Sequence, residues 1–206
     1  MKQVVGQPRK TGRPLSFDTD EALERAMLAF WRSGYETTSI ADLTAAMGVT
    51  PPSLYAAFGN KQALFLAAMR RYAGDPDALE QAMARAPTAR QAVADMLHGA
   101  AVLYTGECTP PGCLLASAAA TGSPDAAEVR AAVSAERRRI RQIVERRIIA
   151  DIAAGQLPAE TASAPLADLA IAVMQGMSVL ARDGATREHL IAVGEAALNA
   201  WPKPIG

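Results

Sequence analysis

Apolar residues recur at intervals of three and four along most of the chain, which is the spacing of one face of an α-helix. The clearest early stripe consists of Leu23, Ala26, Met27, Phe30 and Trp31. Asp18 stands before this stripe and Glu21 follows three residues later, which is the spacing of a helix-capping pair. Gly34 follows the last apolar position and suits the end of a helix. The pattern therefore predicts a first helix that begins after Asp18 and ends at Gly34.

Three shorter helices are predicted directly after the first. The second opens at the capping residue Ser39 and stops at Gly48. Thr50 is expected to cap a third helix over Pro51 to Phe58, in which the proline takes the first position, where its missing N–H costs nothing. Asn60 is expected to cap the fourth. Because one residue separates the end of the second helix from the cap of the third, these two helices should meet in a tight turn.

The rest of the chain continues with helical patterns beyond a break at Gly74, Asp75 and Pro76. Helices are predicted near residues 77–85, 88–105, 113–120, 124–154, 160–182 and 186–201. Since no segment alternates cleanly between apolar and polar residues, no strand is expected. The fold class predicted is all-α, with about nine to ten helices. Its parts are a basic, disordered arm over residues 1–16, a three-helix helix-turn-helix DNA-binding domain over 17–74, and a larger ligand-binding and dimerisation domain over 75–206.

Charge is distributed unevenly, although the net charge of the chain is zero. Residues 1–74 carry nine Lys or Arg and six Asp or Glu, whereas residues 75–206 carry twelve and fifteen. A positive N-terminal part on a negative remainder fits the binding of a polyanion. A difference of three charges can also arise by chance, so this observation supports DNA binding without requiring it.

Several classes of protein are disfavoured by what the sequence lacks. Two cysteines make no disulfide framework, the N-terminus has no apolar signal segment, and the longest uncharged apolar stretch, Leu169 to Ala181, has 13 residues against the roughly 20 that span a bilayer. The common phosphate, dinucleotide, zinc-protease and nucleophile-elbow motifs are missing, and the chain has two histidines. We therefore expect a cytoplasmic protein that is not an enzyme, with no metal, no cofactor and no membrane partner.

Two short helices joined by a tight turn form a unit that can enter the major groove of DNA when a rigid support carries it. Hydroxyl and N–H groups at the N-terminal ends of the second and third helices suit phosphate oxygens. Tyr55 and Lys61 add a phenol and a charge for the DNA backbone, and the proline pair with Ala56 could contact thymine methyl groups. The candidate DNA-contacting residues are Arg9, Lys10, Arg13, Thr38, Ser39, Thr50, Pro51, Pro52, Ser53, Tyr55, Ala56 and Lys61.

Residues 17–72 resemble the DNA-binding domain of the TetR/AcrR family of one-component transcriptional repressors. The matching positions are Ala26, Phe30, Gly34, Tyr35, Thr38, Ser39, Ile40, Leu43, Ala46, Gly48, Val49, Thr50, Ser53, Leu54, Tyr55, Phe58, Lys61, Leu64 and Phe65. The resemblance implies an all-helical homodimer that binds a palindromic double-stranded operator and is released by a small ligand. It also implies phosphate contacts at Thr38, Thr50, Tyr55 and Lys61.

This sequence departs from the family pattern on the third helix. Many relatives carry a basic residue just after the cap, where this chain has Pro51 followed by Pro52, and many carry a larger polar residue after the tyrosine, where it has Ala56 and Ala57. Few groups remain that distinguish bases, so we expect the basic arm, DNA shape and dimer spacing to share the choice of site. Gly12-Arg13-Pro14 resembles a minor-groove arm, although a merely solvated tail is an equal alternative.

Two surfaces are predicted in the larger domain. The expected dimer interface consists of Leu166, Leu169, Val173, Leu180, Leu190, Val193, Ala197 and Trp201. The expected ligand pocket is lined by Met96, Leu97, Val102, Leu103, Tyr104, Cys113, Leu114, Met174 and Met177. Any single apolar position of this kind is more often plain core.

Together these observations predict a ligand-responsive transcriptional regulator, a repressor that binds its operator as a homodimer and is released by a small, largely apolar effector. Two alternatives remain open at this point. One is a helical small-molecule-binding protein whose DNA specificity is weak or lost, for which the proline pair is the main argument. The other is a thiol-based redox sensor that uses Cys108 and Cys113.

Overall fold

The computed structural model describes residues 17–118 and 126–202, and these residues form ten helices and no strand. The helices are α1 Thr19–Ser33, α2 Ile40–Met47, α3 Pro51–Phe58, α4 Lys61–Ala73, α5 Ala78–Arg85, α6 Ala89–Tyr104, α7 Leu114–Ser117, α8 Ala127–Ala153, α9 Ser163–Arg182 and α10 Arg187–Leu198. The predicted all-α fold is confirmed. We call α1–α4 the head and α5–α10 the body.

The head helices begin where the capping residues predicted. The carboxylate of Asp18 accepts hydrogen bonds from the first-turn N–H groups of α1, and Ser39 forms a complete capping box with Asp42 at the start of α2. Thr50 accepts from the N–H of Ser53 at the start of α3. Gly48 ends α2 in the left-handed conformation (φ 69°), which favours glycine and sets the turn between α2 and α3.

An aromatic cluster holds the head together. The ring of Phe30 on α1 meets that of Phe65 on α4 edge to face with 5.2 Å between centroids, and Tyr35 packs against both rings. Leu43 of α2 and Leu54 of α3 are fully buried beside them. Because α3 contributes one buried leucine to this core, most of its remaining surface is free to face outward.

Trp31 is one of the residues that join the head to the body. The indole Nε1 of Trp31 donates to the carbonyl of Gly112 at 3.0 Å, and its ring meets Tyr72 edge to face at 4.8 Å. Arg182 of α9 donates to the Trp31 carbonyl at 2.8 Å. The end of α1 is therefore fixed against the segment that leads into α7 and against the end of α9.

A buried ion pair joins three helices of the body. The carboxylate of Asp151 on α8 pairs with Arg147 at 2.9 Å and accepts from the N–H of Ala89, the first residue of α6, at 2.6 Å. Arg147 also donates to the carbonyl of Met83 on α5. Charges of this kind are stable inside a protein only while each partner remains in place.

The boundaries in the body differ little from those predicted. The helix expected from residue 160 begins at Ser163, and α7 is described over four residues. The predicted cap Ser123 and first-position Pro124 of the longest helix lie outside the described residues, in which α8 begins at Ala127.

Within the described part of the chain, α9 is long and apolar enough to cross a membrane by length and composition. A third (33%) of that stretch is buried inside the protein, where α9 packs against α6, α8 and α10. The uncharged stretch within α9, Leu169 to Ala181, is shorter because Asp168 and Arg182 flank it. Core helices of globular proteins meet the same criterion, so it does not assign α9 to a membrane.

Candidate nucleic-acid interface and internal cavity

One face of α3 projects from the head. Its buried residue is Leu54, whereas Pro51, Pro52, Tyr55 and Ala56 are all exposed. Tyr55 has 47% of its surface exposed, which is unusual for a large aromatic residue on a well-packed helix. The four predicted contact residues therefore share one outward face.

The N-terminal end of α3 offers fewer hydrogen-bond donors than the sequence analysis expected. Pro51 and Pro52 have no N–H, and the N–H of Ser53 is bonded to the Thr50 hydroxyl. The two hydroxyls of Thr50 and Ser53 lie 3.0 Å apart, hydrogen-bonded to each other at the surface. Phosphate binding at this end must therefore rely on hydroxyl groups, because the free backbone N–H groups that were predicted are missing or bonded.

The end of α2 is organised differently. The N–H and hydroxyl of Ser39 both donate to Asp42 Oδ2, at 2.8 and 2.7 Å. These hydrogen bonds, that from the side chain first, lower the pKa of the Asp42 carboxyl below its ordinary value, so the group stays ionised. Ser39 is exposed and remains a candidate for phosphate contact.

Thr38 is a correction to the predicted site. Its residue surface is 2% exposed, and its hydroxyl donates to the carbonyl of Gly34 at 2.6 Å. A hydroxyl that is buried and bonded inside the head cannot also bind phosphate. Thr38 instead fixes the loop between α1 and α2.

Lys61 is only partly available to DNA. Its ammonium group lies 4.6 Å from the centroid of the Tyr35 ring and donates to the carbonyl of Glu36 at 3.4 Å. Desolvation lowers the pKa of Lys61 from its ordinary value. Lys61 thus packs α4 onto the α1–α2 loop, and a phosphate contact would have to compete with these bonds. The predicted arm residues Arg9, Lys10 and Arg13 lie outside the described residues.

A cavity of about 200 Å³ lies in the body next to the head. Its lining residues come from α4, α5, α6, α8, α9 and the segment around α7. They are Tyr72, Leu79, Met96, Gly99, Ala100, Leu103, Tyr104, Cys113, Leu115, Arg137, Ile140, Ile171, Met174 and Gln175. Five predicted pocket residues are therefore in the lining: Met96, Leu103, Tyr104, Cys113 and Met174.

Four other predicted pocket residues lie elsewhere. Leu114 and Met177 are fully buried in the core, and Val102 is 40% exposed on the outer side of α6. Leu97 packs against Gly194 and lines a separate hollow between α6 and α10. All four lie one or a few positions from a lining residue, because a helix turns about 100° per residue and only one face reaches the cavity.

The sequence analysis missed several lining residues that share helical spacing. Ile171 and Gln175 lie on the same face of α9 as the predicted Met174, and Arg137 and Ile140 lie on one face of α8. Their spacing of three and four residues was visible in the sequence. The sequence did not show which face of each helix lines a cavity, because that depends on tertiary packing.

One group of polar side chains in the lining centres on Cys113. The hydroxyl of Tyr72 donates to Cys113 Sγ at 3.4 Å, and Tyr104 lies beside the same thiol. Burial is the main cause that raises the pKa of both tyrosines above the ordinary value, so both remain neutral in the physiological range. The lining is thus mostly apolar, and the two neutral phenol groups lie beside the sulfur of Cys113.

The two cysteines have different environments. Cys113 is buried in the cavity wall, while Cys108 is exposed in the segment before α7. The use of the two as a redox pair stays a prediction. Within residues 17–118 and 126–202, no group of three His, Cys, Asp or Glu side chains is placed to hold a metal ion.

The predicted dimer residues divide into two groups. Leu166, Leu190 and Trp201 are buried within one chain, so they belong to its core and their assignment to an interface is wrong. Leu169 is exposed, and the remaining ones are partly exposed: Val173, Leu180, Val193 and Ala197. The sequence analysis missed Val179, which is 57% exposed on the same side of α9 as Ala172 and Gly176. The outer side of α9 thus presents an apolar stripe that no helix of the described residues covers.

Comparisons with known proteins agree with this arrangement. A family model described as "Bacterial regulatory proteins, tetR family" matches residues 22–68, and one described as "Tetracyclin repressor-like, C-terminal domain" matches residues 89–194. The HTH-type transcriptional repressor ComR of Escherichia coli (strain K12) is 34% identical over 197 residues, which cover 95% of this chain and 94% of that protein. The HTH-type transcriptional repressor BdcR of the same organism is 28% identical over 197 residues, covering 94% of each.

Solved structures point the same way. A cysteine mutant of the TetR family transcriptional regulator CifR, complexed with 26bp double-strand operator DNA, is 45% identical with a TM-score of 0.88, and the match covers 93% of this chain and 100% of that one. The predicted resemblance is confirmed over head and body alike. The chain belongs to the tetR family of bacterial regulatory proteins.

Proposed function

We propose that this protein is a cytoplasmic transcriptional repressor that binds a palindromic operator as a homodimer and is released when a small, largely apolar molecule occupies the body cavity. The observation that carries the proposal is the outward face of α3, presented on a capped and rigid head. Relatives described as repressors and a relative solved on operator DNA support it. We assign the protein as a regulator and not an enzyme because the same relatives are described as transcriptional regulators.

The division of labour on DNA follows from the chemistry of α3. Tyr55, Ser53 and Thr50 offer hydroxyl groups that suit phosphate, whereas Pro51, Pro52 and Ala56 offer apolar surface. Phosphate contacts position a protein on DNA, and base contacts select the sequence. We infer that α3 mainly positions the head, and that the arm with Arg9, Lys10 and Arg13 helps to select the site.

Replacing Tyr55 with phenylalanine should weaken binding to operator and to unrelated DNA by a similar factor, about tenfold, because one charge-assisted hydrogen bond to phosphate is lost. Tyr55→Ala should weaken both further, since the exposed ring is also removed. Fluorescence anisotropy with DNA from upstream of the protein's own gene, at fixed salt, measures both affinities.

Arg90→Ala is the control for this experiment, because Arg90 is exposed on the body, away from α3. The control should leave both affinities unchanged. If Tyr55→Phe and Tyr55→Ala bind DNA as the unaltered protein does, α3 is not the docking helix. Failure of the unaltered protein to bind any duplex would favour the alternative of a helical small-molecule-binding protein.

The homodimer follows from geometry and from the exposed stripe on α9. Two half-sites lie roughly 34–36 Å apart in the DNA, which is more than one head can reach. Leu169, Ala172, Gly176 and Val179 lie on one side of α9, and the small residues among them allow close helix packing. We propose that this stripe, with Val193 and Ala197 of α10, packs against the same stripe of a second copy.

The switch has a short physical route. Tyr72 lines the cavity and also packs against Trp31 of the head, and Cys113 in the cavity wall follows Gly112, which accepts the indole hydrogen bond. A ligand that moves Tyr72 or Cys113 therefore acts directly on the end of α1. Such a ligand shifts operator affinity by its differential binding energy, typically about 1–3 kcal/mol or 5–150-fold.

Replacing Trp31 with phenylalanine should weaken the contact between the end of α1 and the segment before α7 without removing the aromatic packing there. The substitution keeps a ring against Tyr72 but removes the donor to the buried carbonyl of Gly112, at an expected cost of about 1–2 kcal/mol. Hydrogen–deuterium exchange should then become faster at the C-terminal end of α1 and in the segment before α7, and stay unchanged in α3. Uniformly faster exchange across the body would instead indicate general destabilisation and contradict a local role.

A further inference from the structure

Among the described residues, the cavity lining includes one charged side chain, Arg137, and no described residue pairs with it. Arg137 lies on α8 and is half-buried. Within the described residues it makes no salt bridge and no hydrogen bond, and the cavity lining includes no Asp or Glu. A guanidinium cannot lose its proton in a protein, so Arg137 presents a permanent positive charge to a largely apolar space.

The other arginines of the same helix show that this freedom is specific to Arg137. Each has a partner within the described chain: Arg138 with Ser134, Arg139 with Glu136, Arg141 with Glu145 and Asp168, Arg146 with Glu80, and Arg147 with Asp151. Arg130 also has one. Arg137 is therefore the arginine of α8 for which the described residues offer no partner of any kind, and it is also the one that lines the cavity.

The surroundings of Arg137 favour an anion with an apolar body. The nearby carboxylate of Glu136 is already held in a fork by Arg139, at 2.7 to 3.1 Å. On α9, Gln175 adds an amide to the polar side of the lining, while Met96, Ile140 and Met174 are apolar. Arginine binds carboxylates through two parallel hydrogen bonds, and a partly desolvated site strengthens such bonds.

The volume indicates the size of the part of the anion that the cavity can enclose, since the cavity is half open and adjoins a second hollow that shares Tyr72, Leu79 and Ile140 in its wall. A cavity of about 200 Å³ is only somewhat larger than the roughly 150 Å³ cavity that holds a benzene molecule. A phosphate group is strongly hydrated and doubly charged near neutral pH, which a mostly apolar wall with one cation does not offset. A carboxylate carries one charge and two acceptor oxygens, which match one guanidinium.

We propose that the effector is a small monocarboxylic acid whose apolar body is about the size of one aromatic ring or a medium alkyl chain, and whose carboxylate is bound by Arg137. The proposal rests on the proposed function, in which this cavity is the effector site. Arg137 is then the residue that distinguishes an acid from the corresponding neutral molecule.

Isothermal titration calorimetry on the full-length protein tests the proposal with hexanoate, octanoate, benzoate and phenylacetate, each beside its alcohol. At least one acid should bind, and its alcohol should bind about 10- to 100-fold more weakly. Arg137→Gln should weaken binding of the acid by a similar factor and leave binding of the alcohol unchanged. Arg137→Lys should have an intermediate effect on binding of the acid. Arg138→Gln, at an exposed neighbouring arginine, should leave both unchanged.

Several results would overturn the proposal. These are no binding by any of the acids at millimolar concentration, equal binding of acid and alcohol, or equal effects of Arg137→Gln and Arg138→Gln. An acid that binds through Arg137 but leaves operator affinity unchanged by fluorescence anisotropy overturns its role as effector. The anisotropy experiment also measures operator binding without any acid. If the unliganded protein does not bind DNA, the proposed function fails, and this outcome is distinct from a failure of the acid to bind.

Discussion

Replacing Asp151 with alanine is expected to lower the free energy of unfolding by about 3–5 kcal/mol, because the change leaves a buried arginine without its partner. Asp151 is 4% exposed and bonds both Arg147 and the N–H of Ala89. Removal of its carboxylate leaves both the charge of Arg147 and the N–H of Ala89 at the start of α6 without a partner. Three helices, α5, α6 and α8, meet at this point, so no single helix can shift to restore the bonds.

Urea unfolding followed by circular dichroism measures this loss. Asp168→Ala is the matched control, because Asp168 also pairs with an arginine of α8 but is exposed. Exposed ion pairs contribute about 0–1 kcal/mol, so the control should change stability little. Asp151→Asn should fall between the two, since an amide oxygen can still accept from Ala89. Equal losses for Asp151→Ala and Asp168→Ala would show that burial does not determine the strength of these pairs.

Replacing Gly112 with alanine should lower the free energy of unfolding by about 2–4 kcal/mol, through backbone strain and a steric clash together. Gly112 has φ +80°, and an added Cβ would lie 2.8 Å from the backbone carbonyl oxygen of Ser178. That oxygen belongs to α9 and cannot move without the helix. The carbonyl of Gly112 also accepts from Trp31, so the clash acts at the junction of head and body.

Gly155→Ala separates the two causes. Gly155 has a similar φ of +70° but open space around an added Cβ, so its substitution should cost only the strain, about 1–2 kcal/mol. Thermal unfolding of both variants gives the difference, which is the contribution of the clash. If the two variants are equally stable, the contact between Gly112 and α9 is not as close as described.

The head could be predicted almost residue by residue, because its signals are local. Thr50 and Pro51 specify the start of α3 whatever the body does, and the helix ends at Phe58 as predicted. The roles of individual side chains within the head were harder to predict from the sequence. Thr38 looked like a phosphate contact, yet its hydroxyl is buried against Gly34, because burial depends on how α1 and α2 pack.

The body was predicted as helices but not as a site. Leu190 and Val179 have the same apolar character in the sequence, yet one is fully buried and the other is more than half exposed. Arg137 is one of several arginines on α8, and nothing local in the sequence distinguishes it from the others. Its place at the cavity depends on how α8 packs against α9 and α5, to which its neighbours Arg141 and Arg146 are joined by ion pairs with Asp168 and Glu80, residues distant in sequence.

The proline pair at the start of α3 has a thermodynamic consequence. Pro51 and Pro52 carry no N–H groups, and the next N–H, that of Ser53, is already bonded to Thr50. When α3 approaches DNA, few backbone N–H groups at its N-terminal end have to be desolvated. The surface that becomes buried there is mainly the apolar surface of Pro51 and Pro52. Burial of apolar surface gives a negative heat-capacity change on binding. The association of this head with DNA should accordingly depend on temperature more as a hydrophobic contact does than as a purely ionic one.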